Sequence, residues 1–79
     1  MIFPDKLITF HESIIARSIF ILQALENKSK SILELFANVK MHFEDISDFI
    51  LALDILFMLN KIKFNEELQV IEYVKTNNV

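Results

Sequence analysis

The stretch HFEDISDFILALDILFMLNKIKF, residues 42–64, decides the fold, because three acids stand before an almost unbroken apolar run that ends in two alternating lysines. The apolar run FILALDILFML has eleven residues and is interrupted by Asp54. A helix that spans a bilayer needs roughly 20 apolar residues, so a membrane segment is excluded here. Asp45, with Asp48 three residues later, instead predicts a capped helix start, where the helix dipole stabilises both carboxylates.

Helical spacing follows this start and then gives way to alternation. The side chains predicted to face the core of this third helix are Ile46, Phe49, Ile50, Leu53, Leu56 and Phe57. After Asn60, the residues KIKF at 61–64 alternate lysines with apolar side chains, which predicts a strand. A turn at residues 65–67 and a returning strand at residues 68–73 would complete a β-hairpin.

A capping box predicts the start of the first helix. Thr9 and Glu12 have the spacing at which the Thr hydroxyl and the Glu carboxylate each accept a hydrogen bond from the other residue's backbone N–H. Residues 1–8 are predicted to be extended, because Pro4 disfavours a helical conformation at the residue before it. The helix is expected to end near Asn27. Its predicted core stripe is Ile15, Ile19 and Leu22, widened by Ile14, Phe20, Ile21 and Leu25.

A second capping box, Ser31 with Glu34, predicts a shorter helix that ends near Met41 or His42. Its helical stripe is Leu35, Phe36, Val39 and Phe43. Residues 75–79 are expected to be frayed.

Three helices followed by a two-stranded wing define the predicted fold class: mainly α with a small β-hairpin (α+β), and winged helix-turn-helix-like. A chain of 79 residues is expected to form one domain, residues 1–79, because two separate cores would each be near the lower size limit for folding. Hydrophobic residues make up 53% of the chain, which is high for a domain this small. Some apolar side chains should therefore stay outside the core and contact a partner.

Composition excludes several functional classes. The net charge of −3 and the absence of clustered basic residues argue against general polyanion binding. Without cysteine there is no disulfide, thiol catalysis or Cys-ligated zinc, and without glycine there is no phosphate-cradling loop or nucleophile elbow. We therefore expect no enzyme activity, no cofactor and no small-molecule substrate. The N-terminus lacks the features of a signal peptide, which makes the cytoplasm the default location.

DNA readout by the third helix is disfavoured. Residues 44–60 carry four carboxylates and no Lys, Arg or Gln, so they would repel phosphates and could not form bidentate contacts to guanine. Lys61, Lys63 and Lys40 could touch a phosphate backbone from the wing side, but a solvated strand face is the favoured interpretation. Direct DNA contact is thus expected to be absent or minor.

Capping explains the dense acids Glu44, Asp45 and Asp48 more simply than acid–base catalysis does. His11 and His42 have no His partner three or four residues away, so a metal site has little support. Recognition of another protein is the remaining class. The candidate partner-binding residues are Phe3, Pro4, Phe10, Asp45, Asp48, Asp54, Met58 and Tyr73. Met1, Ile2, Leu51 and Ile55 are further candidates, although burial against the wing is favoured for Ile55 and Met58.

The segments MIFPDKLITFHESI and FEDISDFILALDILFMLNKI, with the closing KIKFNEELQVIEYV, resemble the small middle component of ABC-three component systems. The resemblance covers nearly the whole chain. It implies a subunit without a catalytic motif in a bacterial, Lamassu-like antiphage or anti-plasmid defence system. The implied partners are an SMC- or Rad50-like ABC ATPase and an effector subunit, often a nuclease, which this chain would bridge.

Two alternatives remain open from the sequence. A small winged-helix DNA-binding transcriptional regulator, dimeric through the first helix, would bind duplex DNA in a salt-dependent way. A small antitoxin-like inhibitor would also bind a protein and would differ in the identity of that partner.

Overall fold

The computed structural model describes residues 4–75, with side chains described for Phe10 and for residues 12–75. The elements in chain order are α1 (Pro4–Leu25), α2 (Ile32–Val39), a 3₁₀ turn (Lys40–His42), α3 (Ile46–Met58), β1 (Ile62–Asn65) and β2 (Val70–Tyr73). Three helices followed by a two-stranded antiparallel hairpin confirm the predicted α+β arrangement. The predicted frayed tail is residues 75–79, and all of it after Lys75 lies outside the described residues.

Helix α1 begins at Pro4, so the predicted extended conformation is wrong for residues 4–8, and the helix start predicted at Thr9 is wrong. Proline is well suited to the first helical position, because its fixed φ matches the helix and its missing N–H would have had no partner there. The disfavoured helical conformation applies to the residue before proline, which lies outside the described residues. The helix ends at Leu25, two residues before the predicted Asn27.

Both predicted caps of the later helices are confirmed. The Ser31 hydroxyl accepts a hydrogen bond from the Glu34 backbone N–H at 3.2 Å, and the Ser31 backbone N–H donates to the Glu34 carboxylate at 3.3 Å. At α3, the Asp45 carboxylate accepts from the Asp48 backbone N–H at 3.1 Å. Local hydrogen bonds between residues three apart thus set both helix starts.

The end of α3 is fixed by Asn60, whose φ of 59° is left-handed. The Asn60 backbone N–H donates to the Phe57 carbonyl at 3.0 Å, and the Lys61 N–H donates to the Leu56 carbonyl at 2.9 Å. This pair of bonds is the Schellman arrangement, in which asparagine can replace the usual glycine. A chain without glycine therefore still ends this helix sharply and turns into β1.

The hairpin pairs β1 with β2 from Ile62 opposite Tyr73 to Asn65 opposite Val70. The predicted turn and second strand are shifted, because Asn65 belongs to β1 and the turn occupies residues 66–69. The Asn65 side-chain oxygen accepts from the Leu68 N–H at 3.0 Å, which holds Leu68 in the turn instead of in the strand. The turn closes through Gln69, whose φ is 56°.

The connection between α1 and α2 adds a contact to the hairpin that the sequence did not indicate. The Lys30 backbone N–H donates to the Ile71 carbonyl at 3.2 Å, and the Ile71 N–H donates back to the Lys30 carbonyl at 2.7 Å. This isolated bridge lies on β2 and ties the polar connection ENKSKS to the hairpin. Residues far apart in the chain are thereby joined through their backbones.

The core draws on α1, α2, α3 and both strands. Its buried apolar side chains are Ile14, Ile21, Leu25, Leu35, Val39, Phe43, Phe49, Ala52, Leu53, Leu56, Ile62 and Ile71. Phe49 is fully buried, and its ring centroid lies 4.9 Å from that of Phe36 and 5.8 Å from that of Phe43. Such tilted and edge-on aromatic pairs add to the stabilisation from burial.

The sequence assigned several exposed residues to this core. On α1, the predicted stripe residues Ile15 and Ile19 are exposed, while Ile14, Ile21 and Leu25 are buried. On α3, three of the predicted core side chains are exposed, namely Ile46, Ile50 and Phe57. Both helices are apolar around much of their circumference, so spacing alone could not select the face that the rest of the chain covers.

Candidate protein-interaction surfaces

The structure distributes the predicted partner-binding residues over separate parts of the molecule. Phe3 lies outside the described residues, and Pro4 is the first residue of α1. Phe10 is exposed on α1, while Tyr73 is exposed on β2, at the opposite end of the chain. The predicted acids Asp45, Asp48 and Asp54 belong to a third element, the start and body of α3.

Asp45 and Asp48 lie in the first turn of α3 and have a structural role there. The Asp45 carboxylate caps the helix, and the Asp48 N–H is the group it binds. Asp48 is half-buried and Asp45 is exposed. Capping thus accounts for the Asp45 carboxylate, and Asp48 lies in the first turn, where the helix dipole stabilises an acid. Contact of either residue with a partner remains a prediction.

Asp54 and Met58 are four residues apart on α3, so they lie on the same outward side of the helix. Met58 is 80% exposed, and the burial against the wing that was favoured for it is wrong. Ile55, in contrast, is half-buried against the core, as is Leu51. A carboxylate beside a flexible apolar side chain is compatible with protein contact, because methionine adapts to irregular surfaces.

A second apolar surface, which the sequence placed in the core, lies on α1. We call it the outer stripe and define it as Ile15, Ile19 and Leu22. Ile15 and Ile19 are each 51% exposed, and Leu22 is half-buried. The seven-residue span with spacings of four and three was visible in the sequence, but nothing local distinguished it from the buried stripe beside it.

The outer stripe borders a shallow depression of about 250 Å³ between α1 and the hairpin. Its lining residues are Ile19, Leu22, Gln23, Glu26 and Tyr73. Tyr73, a predicted contact residue, thus lies beside the outer stripe and not beside the acids of α3. A smaller depression of about 160 Å³ continues past Tyr73 and Glu26 towards Lys28 and Lys75. Together they give the end of α1 a concave, partly apolar surface.

The basic residues of the hairpin do not form a strong anion site. Lys61 is exposed, but the Lys63 ammonium lies 3.8 Å from the carboxylate of Glu72 on the paired strand. That cross-strand pair reduces the positive charge available to a phosphate. With the carboxylates of α3 nearby in the chain, this arrangement is a poor electrostatic match to duplex DNA.

His42 takes part in an aromatic contact between two elements of the fold. The His42 ring stacks on Phe20 with centroids 3.6 Å apart and an interplanar angle of 3°, which joins the 3₁₀ turn to α1. The side chain of His11 lies outside the described residues. Within the described part of the chain, no group of three or more His, Asp or Glu side chains could hold a metal ion.

A carboxyl group with a perturbed pKa, that of Glu34, belongs to a helix cap. The backbone N–H of Ser31 lowers the pKa of Glu34 below its ordinary value, and the nearby charge of Lys28 acts in the same direction. Glu34 is exposed, so the shift reflects local hydrogen bonding and not a buried site. None of the helices described, from Pro4 onward, is long and apolar enough to cross a membrane.

The described residues form three helices and a hairpin, and several large apolar side chains are exposed on them. The family model of the ABC-three component (ABC-3C) system Middle Component 7 matches residues 3–71. The chain belongs to this family, which confirms the resemblance found in the sequence, and its role lies within such a system. No curated protein and no solved structure matches the chain significantly.

Proposed function

We propose that this chain is a non-catalytic subunit that bridges an SMC- or Rad50-like ABC ATPase and an effector, often a nuclease, in a bacterial antiphage or anti-plasmid defence complex. Membership of the middle-component family supports a role beside other subunits of the same system. In this proposal the chain is one cytoplasmic domain, winged-helix-like in fold, and binds no cofactor or small-molecule substrate.

The observation that carries the proposal is the apolar surface on the outside of so small a chain. Ile15 and Ile19 on α1, and Ile46, Ile50 and Phe57 on α3, are exposed although they are large and apolar. Exposed apolar residues on two separate helices suit a subunit that contacts two other chains. The Asp54 and Met58 side of α3 could add acidic contacts to a basic patch on the ATPase.

Co-expression with the ATPase and the effector of the same system tests this function. We expect the three chains to co-purify and to elute together in size-exclusion chromatography with light scattering. The chain should also be required for the ATPase and effector to form one complex. If the ATPase and the effector assemble equally well without this chain, or if it elutes as a monomer beside them, the bridging function is wrong.

A phage-challenge assay tests the biological part of the proposal. Cells carrying the complete system should reduce plaque formation, and cells lacking this chain should not. A system whose protection is unchanged by deleting the chain would contradict the defence role.

The transcriptional-regulator alternative predicts a different result. It requires a mobility shift of duplex DNA at low salt that weakens when Lys61 and Lys63 are changed to glutamate. The Lys63–Glu72 pair and the acidic α3 lead us to expect no such shift.

A further inference from the structure

Five residues at the outer side of α1 recur with spacings of three, four, three and four. They are Glu12, Ile15, Ile19, Leu22 and Glu26. Glu26 follows the last residue of the helix, and its N–H donates to the Gln23 carbonyl at 3.3 Å, which continues the final turn. This spacing keeps all five on one side, as in the contact seam of a coiled coil. The outer stripe thus has a carboxylate at each end over about 21 Å of helix.

The depression beside the outer stripe supplies a socket for an inserted side chain. Ile19, Leu22 and Tyr73 line it with apolar groups, and Gln23 and Glu26 are its polar lining residues. In helix packing, an apolar side chain of one helix inserts into the space between residues of its neighbour. The outer stripe and this socket therefore offer a surface on which a second helix can pack.

The end charges favour a different chain over a second copy of this one. In an antiparallel pair of identical α1 helices centred on Ile19, Glu12 of one copy faces Glu26 of the other. In a parallel pair, each of these glutamates faces its own counterpart. Both arrangements oppose like charges, which destabilises pairing. In the described part of the chain, the ion pair joins Lys63 to Glu72, and neither Glu12 nor Glu26 takes part in one.

We infer that the outer stripe and its socket bind an amphipathic helix of another subunit of the same system. That helix would carry apolar residues at spacings of three and four, with one Lys or Arg near each end, about 14 residues apart to match the 21 Å separation. The two basic residues would pair with Glu12 and Glu26, and one apolar side chain would fill the socket beside Tyr73. This inference rests on the proposed function and names the surface that the function uses.

Three variants of the full chain test the inference. Each is titrated against the purified ATPase or effector, whichever co-purifies with the wild-type chain. The first replaces the apolar contact by Ile15→Ser with Ile19→Ser. The second reverses the charges by Glu12→Lys with Glu26→Lys. The matched control changes Leu33→Ser with Leu68→Ser, because Leu33 is 80% and Leu68 is 68% exposed and neither lines the depression beside the outer stripe.

We expect each of the first two variants to weaken binding in titration calorimetry by about tenfold or more, and the control to leave binding unchanged. Thermal unfolding of each variant checks that the helices still form. Because Glu12 and Glu26 are exposed, the charge reversal keeps the test valid if the serine variant does not fold. If the serine variant and the charge-reversal variant both bind at wild-type strength, the inference is overturned and the proposed function stays intact.

A photo-crosslinker at position 19 identifies the bound segment directly. Crosslinks to a helical segment of the other subunit with a basic residue near each end support the inference. Crosslinks to a second copy of this chain, or to a segment without those basic residues, overturn it. A wild-type chain that binds neither the ATPase nor the effector removes the proposed function itself, which is a different result from tight binding through another surface.

Discussion

The two apolar sides of α1 have similar side chains and opposite environments. The inner side contributes Ile14, Ile21 and Leu25 to the core, whereas the outer stripe keeps Ile15 and Ile19 half exposed. The inner side even includes a polar residue, Ser18, whose hydroxyl donates to the Ile15 carbonyl at 2.6 Å. Burial is therefore not set by residue type along this helix. It depends on where the other elements pack.

The difference has an energetic consequence. Removing buried methyl groups loses their transfer free energy and leaves a cavity, whereas shortening a half-exposed side chain loses only part of the first term. Shortening a side chain on the inner side should therefore lower the free energy of unfolding more than shortening one on the outer side. In partner binding we expect the reverse, with the larger loss of affinity on the outer side.

The largest expected effect on stability is at the aromatic centre of the core. Phe49→Ala should lower the free energy of unfolding by about 3–5 kcal/mol, because Phe49 is fully buried against Phe36 and Phe43. Urea unfolding followed by circular dichroism measures the change. Phe57→Ala is the matched control on the same helix, and its loss should be smaller, about 1–2 kcal/mol, because Phe57 is 38% exposed. Equal losses would contradict the assignment of the two faces of α3.

The next effect compares the two sides of α1 directly. Ile21→Ala should reduce the free energy of unfolding by about 2–4 kcal/mol, since Ile21 is fully buried. Ile19→Ala removes the same atoms from a half-exposed position and should reduce it by about 1 kcal/mol or less. The same urea titration applies. A larger loss at Ile19 than at Ile21 would show that the outer stripe is the core.

A smaller effect is expected at a half-buried residue whose role is to satisfy the backbone. Ser31→Ala should lower the free energy of unfolding by about 1 kcal/mol, because the first turn of α2 loses its cap. Ser47→Ala, at an exposed position within α3, should show no loss, since alanine is the better helix former. If both serines behave alike, the capping box does not stabilise α2.

The smallest effect is a pH dependence at the same cap. The pKa of Glu34 is lowered in the folded chain, chiefly by the Ser31 N–H. Its stabilisation is therefore present above the ordinary pKa of 4.5 and is lost as the pH falls through the lowered value. The difference in unfolding free energy between the wild type and Glu34→Gln should shrink with acidification. A difference that grows instead would contradict the lowered pKa.

Local features of the sequence predicted much of the fold. Ser31 with Glu34 and Asp45 with Asp48 gave two helix starts, since each cap depends on atoms three residues apart. The change from helical spacing to alternation at Lys61 gave the first strand. The core assignment of Ile15 and Ile19 was wrong, and the sequence named Tyr73 without indicating its neighbours on α1. Exposure depends on contacts between elements, which one helix's periodicity does not contain.

By itself, the sequence determined the element types, their order and two of their caps, because these follow from interactions within one helical turn or one strand. It also carried the resemblance to the middle-component family. The tertiary structure decided which side of α1 and of α3 is buried, and it joined Lys30 to Ile71 across the chain. Both helices offer more apolar surface than one core can cover, so only the packing of the other elements could leave the outer stripe free to contact another chain.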